Sequence, residues 1–573
     1  MKGIYSSMDN KKITEEDYTT KINGNTEDVL LGLKKSSQKI ADIVSQTAGP
    51  LGHNVVLKTG KNMRITKDGI SVLRWMVAPE NDFDEIALNV IRSASDETNR
   101  KAGDGTTATC ILANEVFQRG HQFLTAGMNG NKLRNGILKA SELAQKIVEE
   151  NIADKVGTNK DIYNVAKISS NGSDEIAGIL TDVFSKIGKD GTAHVEMSRT
   201  DKTSYKVVSG MNFNNGYCSA YFINNEHGEV VLENPIILMA NKRLTVLGEL
   251  LKPFDAMAKY NRPILVIADG YDPDILNTFV VNKLKGLPIC VVEAPAYGDY
   301  RTAMLGDIAL VTGGKVISPA TGLTLNSVIE DPSILGSAKQ VIVTDKTTSI
   351  VTDPSCVDSD ALNKKIAELT HMIEDENTND HDRNILKTRR ARLASGIGII
   401  SVGGATEAEM CEKKDLVDDA FASVSSSLKS GIVPGSGLTY LSIHDYLYGW
   451  IEQNMSTMSQ EEASGFKIFA DSLERPFLTI CDNGNGNSQF LLGCVQSANR
   501  ATMEKSSNSG LKWTRGVDIS SGEDIDVLEC GIIDSAAAVI ETLKNGASAG
   551  AQLLSLSGIV STKLPPQPQQ SQM

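Results

Sequence analysis

The spacing of apolar residues changes twice along this chain, and that change constrains the fold more than any single motif. From about residue 25 to 150 the period is helical, as in Val29, Leu30 and Leu33 and again in Ile86, Val90 and Ile91, with glycine turns between. Between about 205 and 320 short β-type runs appear, Ile264-Leu265-Val266-Ile267 and Ile289-Cys290-Val291-Val292, separated by helical patterns at 273–285 and 300–311. Leu362, Ile366, Leu369 and Ile373 then recur at helical spacing, and a charged stretch from Leu386 to Leu393 follows, which predicts a helical hairpin. From about 430 to 560 helix returns. An α/β module is therefore expected inside an α-rich domain built from both chain ends. At 573 residues the chain is too long for one hydrophobic core.

Charge and cysteine usage narrow the function. A formal charge of -14 opposes broad binding to nucleic acid or anionic membranes, so neither is expected as a partner. Nucleotides stay open, because backbone N–H groups and a metal ion can hold phosphate on an acidic protein. The eight cysteines (110, 218, 290, 356, 411, 481, 494, 530) form no Cys-x-x-Cys pair, which reads as a reducing compartment without a structural metal. No apolar run approaches the roughly eighteen residues of a membrane span. The first twenty residues carry neither an apolar h-region nor an arginine, so no signal or transit peptide is expected and a cytoplasmic location is, that of a host if the chain is viral. The Pro/Gln stretch LPPQPQQSQM is expected to be disordered.

There is no GxxxxGK[ST] phosphate loop. Ala102-Gly103-Asp104-Gly105-Thr106-Thr107 instead runs straight into an amphipathic stretch, placing glycines and hydroxyls at a helix N-terminus, where free N–H groups and the macrodipole favour phosphate oxygens. Asp104 has the chemistry for magnesium, and Thr106 and Thr107 for donating to phosphate. Alone, the string equally describes an ordinary turn with a threonine cap, the commoner case. Thr47-Ala48-Gly49-Pro50-Leu51-Gly52, Thr66-Lys67-Asp68-Gly69 and, downstream of Val417-Asp418-Asp419-Ala420, Gly431-Ile432-Val433-Pro434-Gly435-Ser436-Gly437 are further turns able to approach a nucleotide.

In order and spacing these motifs resemble one family, the group I chaperonins of the bacterial GroEL type. The resemblance runs from about residue 25 to 560 through AGPLGHNVVL, ITKDGISV, AGDGTTAT, GMNFNNGYCSAYFIN, EAPAYGDYRTAMLGDIALVTGG, VGGATEAEMCEKKDLVDDA and GIVPGSGL. It implies a three-domain subunit, multidomain α and α/β. An N-terminal extension (1–24) would precede an equatorial ATP-binding domain (25–150 and 430–560), with an intermediate domain (151–208 and 397–429), an apical polypeptide-binding domain (209–396) and a disordered tail (561–573).

By position, the resemblance implies that Thr47, Ala48, Gly49, Pro50, Lys67, Gly103, Gly105, Thr106, Thr107, Ser436, Asp518 and Asp534 meet ATP. Asp104 would hold Mg2+, with K+ a further candidate, and Asp419 and Asp68 would be the acids at the γ-phosphate. Tyr217, Tyr221, Phe222, Leu251, Phe254, Leu276, Val280 and Val281 would form an apolar face for non-native polypeptides and a lid-like co-chaperonin, although tyrosines and leucines at such spacing are commonly core. Gly210, Gly396 and Gly431 would be hinges. The implied assembly is a homo-oligomeric ring of seven subunits, one ring or two, in which ATP drives domain movement and polypeptide folding.

Departures accompany the match. Leu51 and His53 stand where basic residues are usual, Asp518-Ile519-Ser520 replaces a base-contacting Asn-Ala-Ala, and Gln122, Leu478 and Asn487 fall where charges cross between rings. A weakened double ring is expected. The competing expectation is an ATP-independent, chaperonin-like binding or scaffold protein, against which Asp68, Asp104 and Asp419 stand.

Overall fold

A computed structural model describes residues 19–563, apart from 24–25, 60–61, 77–80, 190, 199, 226–227, 354, 376–378, 395, 504–510 and 520. The described residues form two compact units: those of Met1–Ala177 with Asp415–Met573, and those of Gly178–Lys414. Both chain ends share one unit. The segments expected as an intermediate domain are divided between the two.

The first unit is helical. Helices Thr106–Thr125 and Ala536–Leu554 form its centre, and small residues let them approach: a Cβ on Gly550 would stand 2.7 Å from the Ala113 carbonyl oxygen. Helices Gly130–Ile147 and Gln460–Ser472 meet in the same way, a Cβ on Gly465 falling 2.5 Å from the Leu133 oxygen. Around these seams Leu33, Ile91, Leu112, Phe117, Phe469 and Leu543 are fully buried. Such close packing stands in for large side chains, in keeping with an aromatic content of only 5%.

Two sequence expectations need correction here. Thr19–Asn23 and Ile559–Lys563 pair antiparallel, from Thr19 opposite Lys563 to Asn23 opposite Ile559. The chain ends are therefore ordered as strands inside the expected extension (1–24) and the expected disordered tail (561–573), where Val560 and Thr562 supply β-branched residues. Residues 1–18 and 564–573, the rest of those calls, lie outside the described residues. Leu478, expected at a contact between rings, is only 5% exposed and packs in a small core with Phe477, Leu492 and Trp513; Gln122 and Asn487 are exposed.

In the second unit Ile236–Leu244, Ile264–Tyr271 and Ile289–Glu293 form a parallel sheet, flanked on the Ile236–Leu244 side by Val316–Ile317. Strands buried on both faces need unbroken apolar runs, which the sequence supplies. Helices Leu247–Ala258, Pro273–Leu284 and Gly298–Thr312 cover the sheet, and the hairpin is formed by Ser359–Glu374 and Asp380–Ala394. Arg389 on that hairpin grips Asp307, which is 1% exposed, through two 2.8 Å hydrogen bonds.

Of the expected polypeptide-binding residues, Tyr221, Leu251 and Val281 are exposed, and Tyr217, Leu276 and Val280 are partly buried. Phe222 and Phe254 are core residues at 0% and 7% exposure, because each closes the apolar layer over the sheet. Gly210 and Gly396 sit within strands of a six-stranded sheet without positive φ. What demands glycine there is space, a Cβ on Gly396 meeting Val207 at 2.6 Å. Gly431 differs, with φ of 93°. No described helix is long and apolar enough to cross a membrane.

Candidate active site

The first unit contains a cleft of about 590 Å³ lined by every nucleotide-binding candidate except Asp518, together with Asp68 and Asp419. Asp518 turns away into a hairpin, its N–H donating to Glu523 and its carbonyl accepting from Gly522. Ser520 lies outside the described residues.

One end of the cleft is built from the Gly103–Thr107 turn. Gly103 (φ 73°) ends helix Asp82–Ala102 and Gly105 (φ 86°) begins helix Thr106–Thr125, so two left-handed glycines reverse the chain within three residues. The alternative of a threonine cap does not hold: among the described residues no side chain caps this helix, which leaves its first N–H groups facing the cleft. Thr109 and Thr542 donate to the Gly105 carbonyl at 2.9 and 3.1 Å and fix the turn from behind. Asp104 folds back so that its Oδ1 accepts from the Gly105 N–H at 2.6 Å.

Across the turn lie the two other glycine loops. Thr47 and Thr107 hydroxyls are 3.4 Å apart, and a Cβ on Gly69 would collide with Thr107. Lys67 donates to the Pro50 carbonyl at 2.9 Å, and burial lowers its pKa. The Asp68 carboxylate accepts from the N–H groups of Ile70 and Ser71, capping helix Gly69–Trp75. Ser436 takes a left-handed backbone (φ 55°) before helix Leu438–Asn454, whose start also lacks a side-chain cap.

The electrostatics are one-sided. Four aspartates (68, 104, 419 and 534) and two lysines (67 and 167) line the cleft. Burial pushes the carboxyl of Asp104 up, with the charge of Asp68 adding to it. Asp419 is raised well above the usual range by burial and by the charges of Asp68 and Asp104, and Asp534 to about 7 by burial and then Asp104. A bound cation would relieve this strain, whereas an anion alone would meet repulsion. No three His, Cys, Asp or Glu side chains among the described residues converge as a preformed cage. Magnesium suits such a site, because it takes one or two carboxylates and completes its shell with phosphate oxygens and water.

Sequence reading missed the cleft wall formed by helix Asn159–Ser169, which brings Tyr163, Asn164, Lys167 and Ser169 to the site. Its only local signal is the Asn171-Gly172 turn that follows, with both residues left-handed. It also missed Asn483, whose amide holds the Thr47 loop by donating to the carbonyls of Ser45 and Ala48 at 2.8 and 2.9 Å.

Residues 40–564 match the model of the TCP-1/cpn60 chaperonin family. The fold is similar to the crystal structure of the chaperonin gp146 from the bacteriophage EL (Pseudomonas aeruginosa), obtained in the presence of ATP-BeFx. The TM-score is 0.68 and the identity 20%, over 94% of this chain and 99% of that one.

Proposed function

The chain belongs to the TCP-1/cpn60 chaperonin family, and from that premise we propose that it is an ATP-hydrolysing subunit of a ring that binds non-native polypeptides and promotes their folding. The observation that carries this reading is the uncapped helix start at Thr106, flanked by the carboxylates of Asp104, Asp68 and Asp419 on the wall of one cleft.

In this reading the N–H groups and hydroxyls of Thr106 and Thr107 receive phosphate oxygens, and Thr47 to Pro50, Lys67, Ser436 and Asp534 line the rest of the nucleotide. Magnesium, held by Asp104, supplies neutralisation of phosphate charge. Asp419, whose proton affinity is raised by burial and by the charges of Asp68 and Asp104, is the base that takes a proton from the attacking water in this reading. Asp68, pinned by two backbone N–H groups, is a fixed acceptor that orients that water. Potassium is a further candidate for so acidic a cleft. That gp146 was crystallised with ATP-BeFx supports nucleotide binding here.

Client binding falls to Tyr221, Leu251 and Val281, at 68%, 48% and 46% exposure, with Leu276 and Val280 at the edge. A lid-like co-chaperonin would use the same patch, and Gly210, Gly396 and Gly431 would flex between domains. Assembly into seven-membered rings in a cytoplasm is part of the proposal. The exposed apolar side chains Val56, Met63 and Ile65 on the paired strands Val55–Thr59 and Asn62–Thr66 support it as candidate subunit contacts. A weakened double ring now rests on Gln122 and Asn487 alone. The deciding experiment measures ATP turnover and client refolding for the wild type and Asp419→Ala. Turnover lost with nucleotide binding kept is expected; a wild type without turnover would overturn the ATPase reading.

A further inference from the structure

The last residue of helix Asn159–Ser169 makes two contacts that the nucleotide site does not need for binding. Ser169 Oγ lies 3.0 Å from Asp104 Oδ2 and 2.8 Å from Ser423 Oγ. A hydroxyl has one proton. Its stronger use is donation to the carboxylate, with Ser423 Oγ as the alternative acceptor of the same proton. The chain of contacts then reads Ser423 to Ser169 to Asp104, three hydroxyl and carboxylate groups from three separate segments.

Each end of that chain has a meaning. Asp104 already spends Oδ1 on the Gly105 N–H, so the bond to Oδ2 fixes the remaining freedom of the carboxylate and sets which lone pairs face the cleft. Ser423 stands one helical turn beyond Asp419 on helix Glu407–Ser430, on the same face. We propose that Ser169 is a positioning residue for ATP hydrolysis: it aims the Asp104 carboxylate at the metal and registers the helix that carries Asp419 against it. The inference rests on the ATPase reading above. It adds a residue that acts through two others and touches no substrate.

The test uses the full chain and two readouts. Mn2+ as a paramagnetic probe is titrated, with and without ADP, into the wild type, Ser169→Ala, Ser169→Thr and Ser423→Ala, alongside steady-state ATP turnover with magnesium and a thermal melt. For Ser169→Ala, Mn2+ affinity and kcat are each expected to fall by about tenfold or more, the scale of one lost charge-assisted hydrogen bond, with metal-free ADP affinity and melting unchanged. Ser169→Thr restores the hydroxyl and both readouts. Ser423→Ala lowers kcat and leaves Mn2+ affinity alone. If Ser169→Ala matches the wild type in Mn2+ affinity, the proposal falls. A wild type that turns over no ATP overturns the ATPase reading instead, and the Mn2+ arm still decides whether Ser169 positions Asp104.

Discussion

Leu251 and Phe254 share helix Leu247–Ala258 and both match positions of a polypeptide-binding face, yet the structure separates them: Leu251 is 48% exposed and Phe254 7%. Phe254 packs edge-on to Phe279 with ring centroids 5.5 Å apart, above the parallel sheet. Phe254→Ala deletes a buried aromatic side chain, at about 3–5 kcal/mol. Leu251→Ser removes a side chain that is already half in water, so the loss is about 1 kcal/mol. In urea denaturation, Phe254→Ala therefore lowers the stability of the Gly178–Lys414 unit by a factor of about a hundred or more, and Leu251→Ser by about five. Suppression of the aggregation of a chemically unfolded reporter protein gives the opposite ranking. Below its unfolding range Phe254→Ala still captures the reporter, while Leu251→Ser combined with Val281→Ser does not. Loss of capture by Phe254→Ala at unchanged stability would refute the assignment of Phe254 to the core, and full capture by the double variant would refute the exposed patch as the client site.

Three further outcomes concern a buried ion pair, a cleft thiol and a buried carboxyl. Asp307→Ala leaves Arg389 buried without its partner and lowers stability by about 3–5 kcal/mol, read by urea denaturation; a loss under about 1 kcal/mol would mean that the pair is solvated. Cys530 is exposed on the cleft wall, so saturating Mg·ADP slows its labelling by a maleimide and leaves the exposed Cys494 unaffected, as peptide mass spectrometry will report. The folded-state pKa of Asp534, about 7, lies above its ordinary value, so the folded nucleotide-free chain binds this proton more tightly than the unfolded chain; stability from this group is full below the ordinary carboxylate range and is lost as pH rises towards 7. Asp534→Asn is accordingly more stable than the wild type at pH 8 by denaturation, with the difference vanishing near pH 4.

How far the sequence carries depends on the range of the interaction. Ile264–Ile267 and Ile289–Val292 announce buried parallel strands because both faces must be apolar, and the Gly-Asp-Gly turn announces a helix start because left-handed backbone needs glycine. Which acids share one site was legible only through resemblance. Asp104 and Asp419 are separated by most of the chain, and nothing local at Asp419 distinguishes it from the solvated Asp418 beside it. Phe222 and Phe254 were misplaced for a related reason: a helix facing both a core and a client carries apolar residues on two sides, and periodicity does not tell the sides apart. The paired chain ends were missed because Thr19–Asn23 and Ile559–Lys563 are too short and too far apart to show as strands.

The helix that carries Asp419 shows what kind of attachment the first unit favours. From Ser423 onward it docks through hydroxyls: Ser423 to Ser169, Ser426 to the Ala102 carbonyl and the Ser535 hydroxyl, and Ser430 accepting from the Ala537 N–H. These contacts join neutral groups, and neutral hydrogen bonds contribute only about 1 kcal/mol each, so several small terms hold the helix. Their joint effect depends on approach distance. Gly103 sits directly under Ala422, and a Cβ there would collide with it. Glycine at 103 therefore has two reasons: its left-handed φ closes the turn before helix Thr106–Thr125, and its bare Cα lets the Asp419 helix come near enough for the serines to reach. Any side chain at 103 would strain the turn and hold the helix off together, separating Asp419 from the Gly103–Thr107 turn by the same displacement that breaks the hydroxyl contacts.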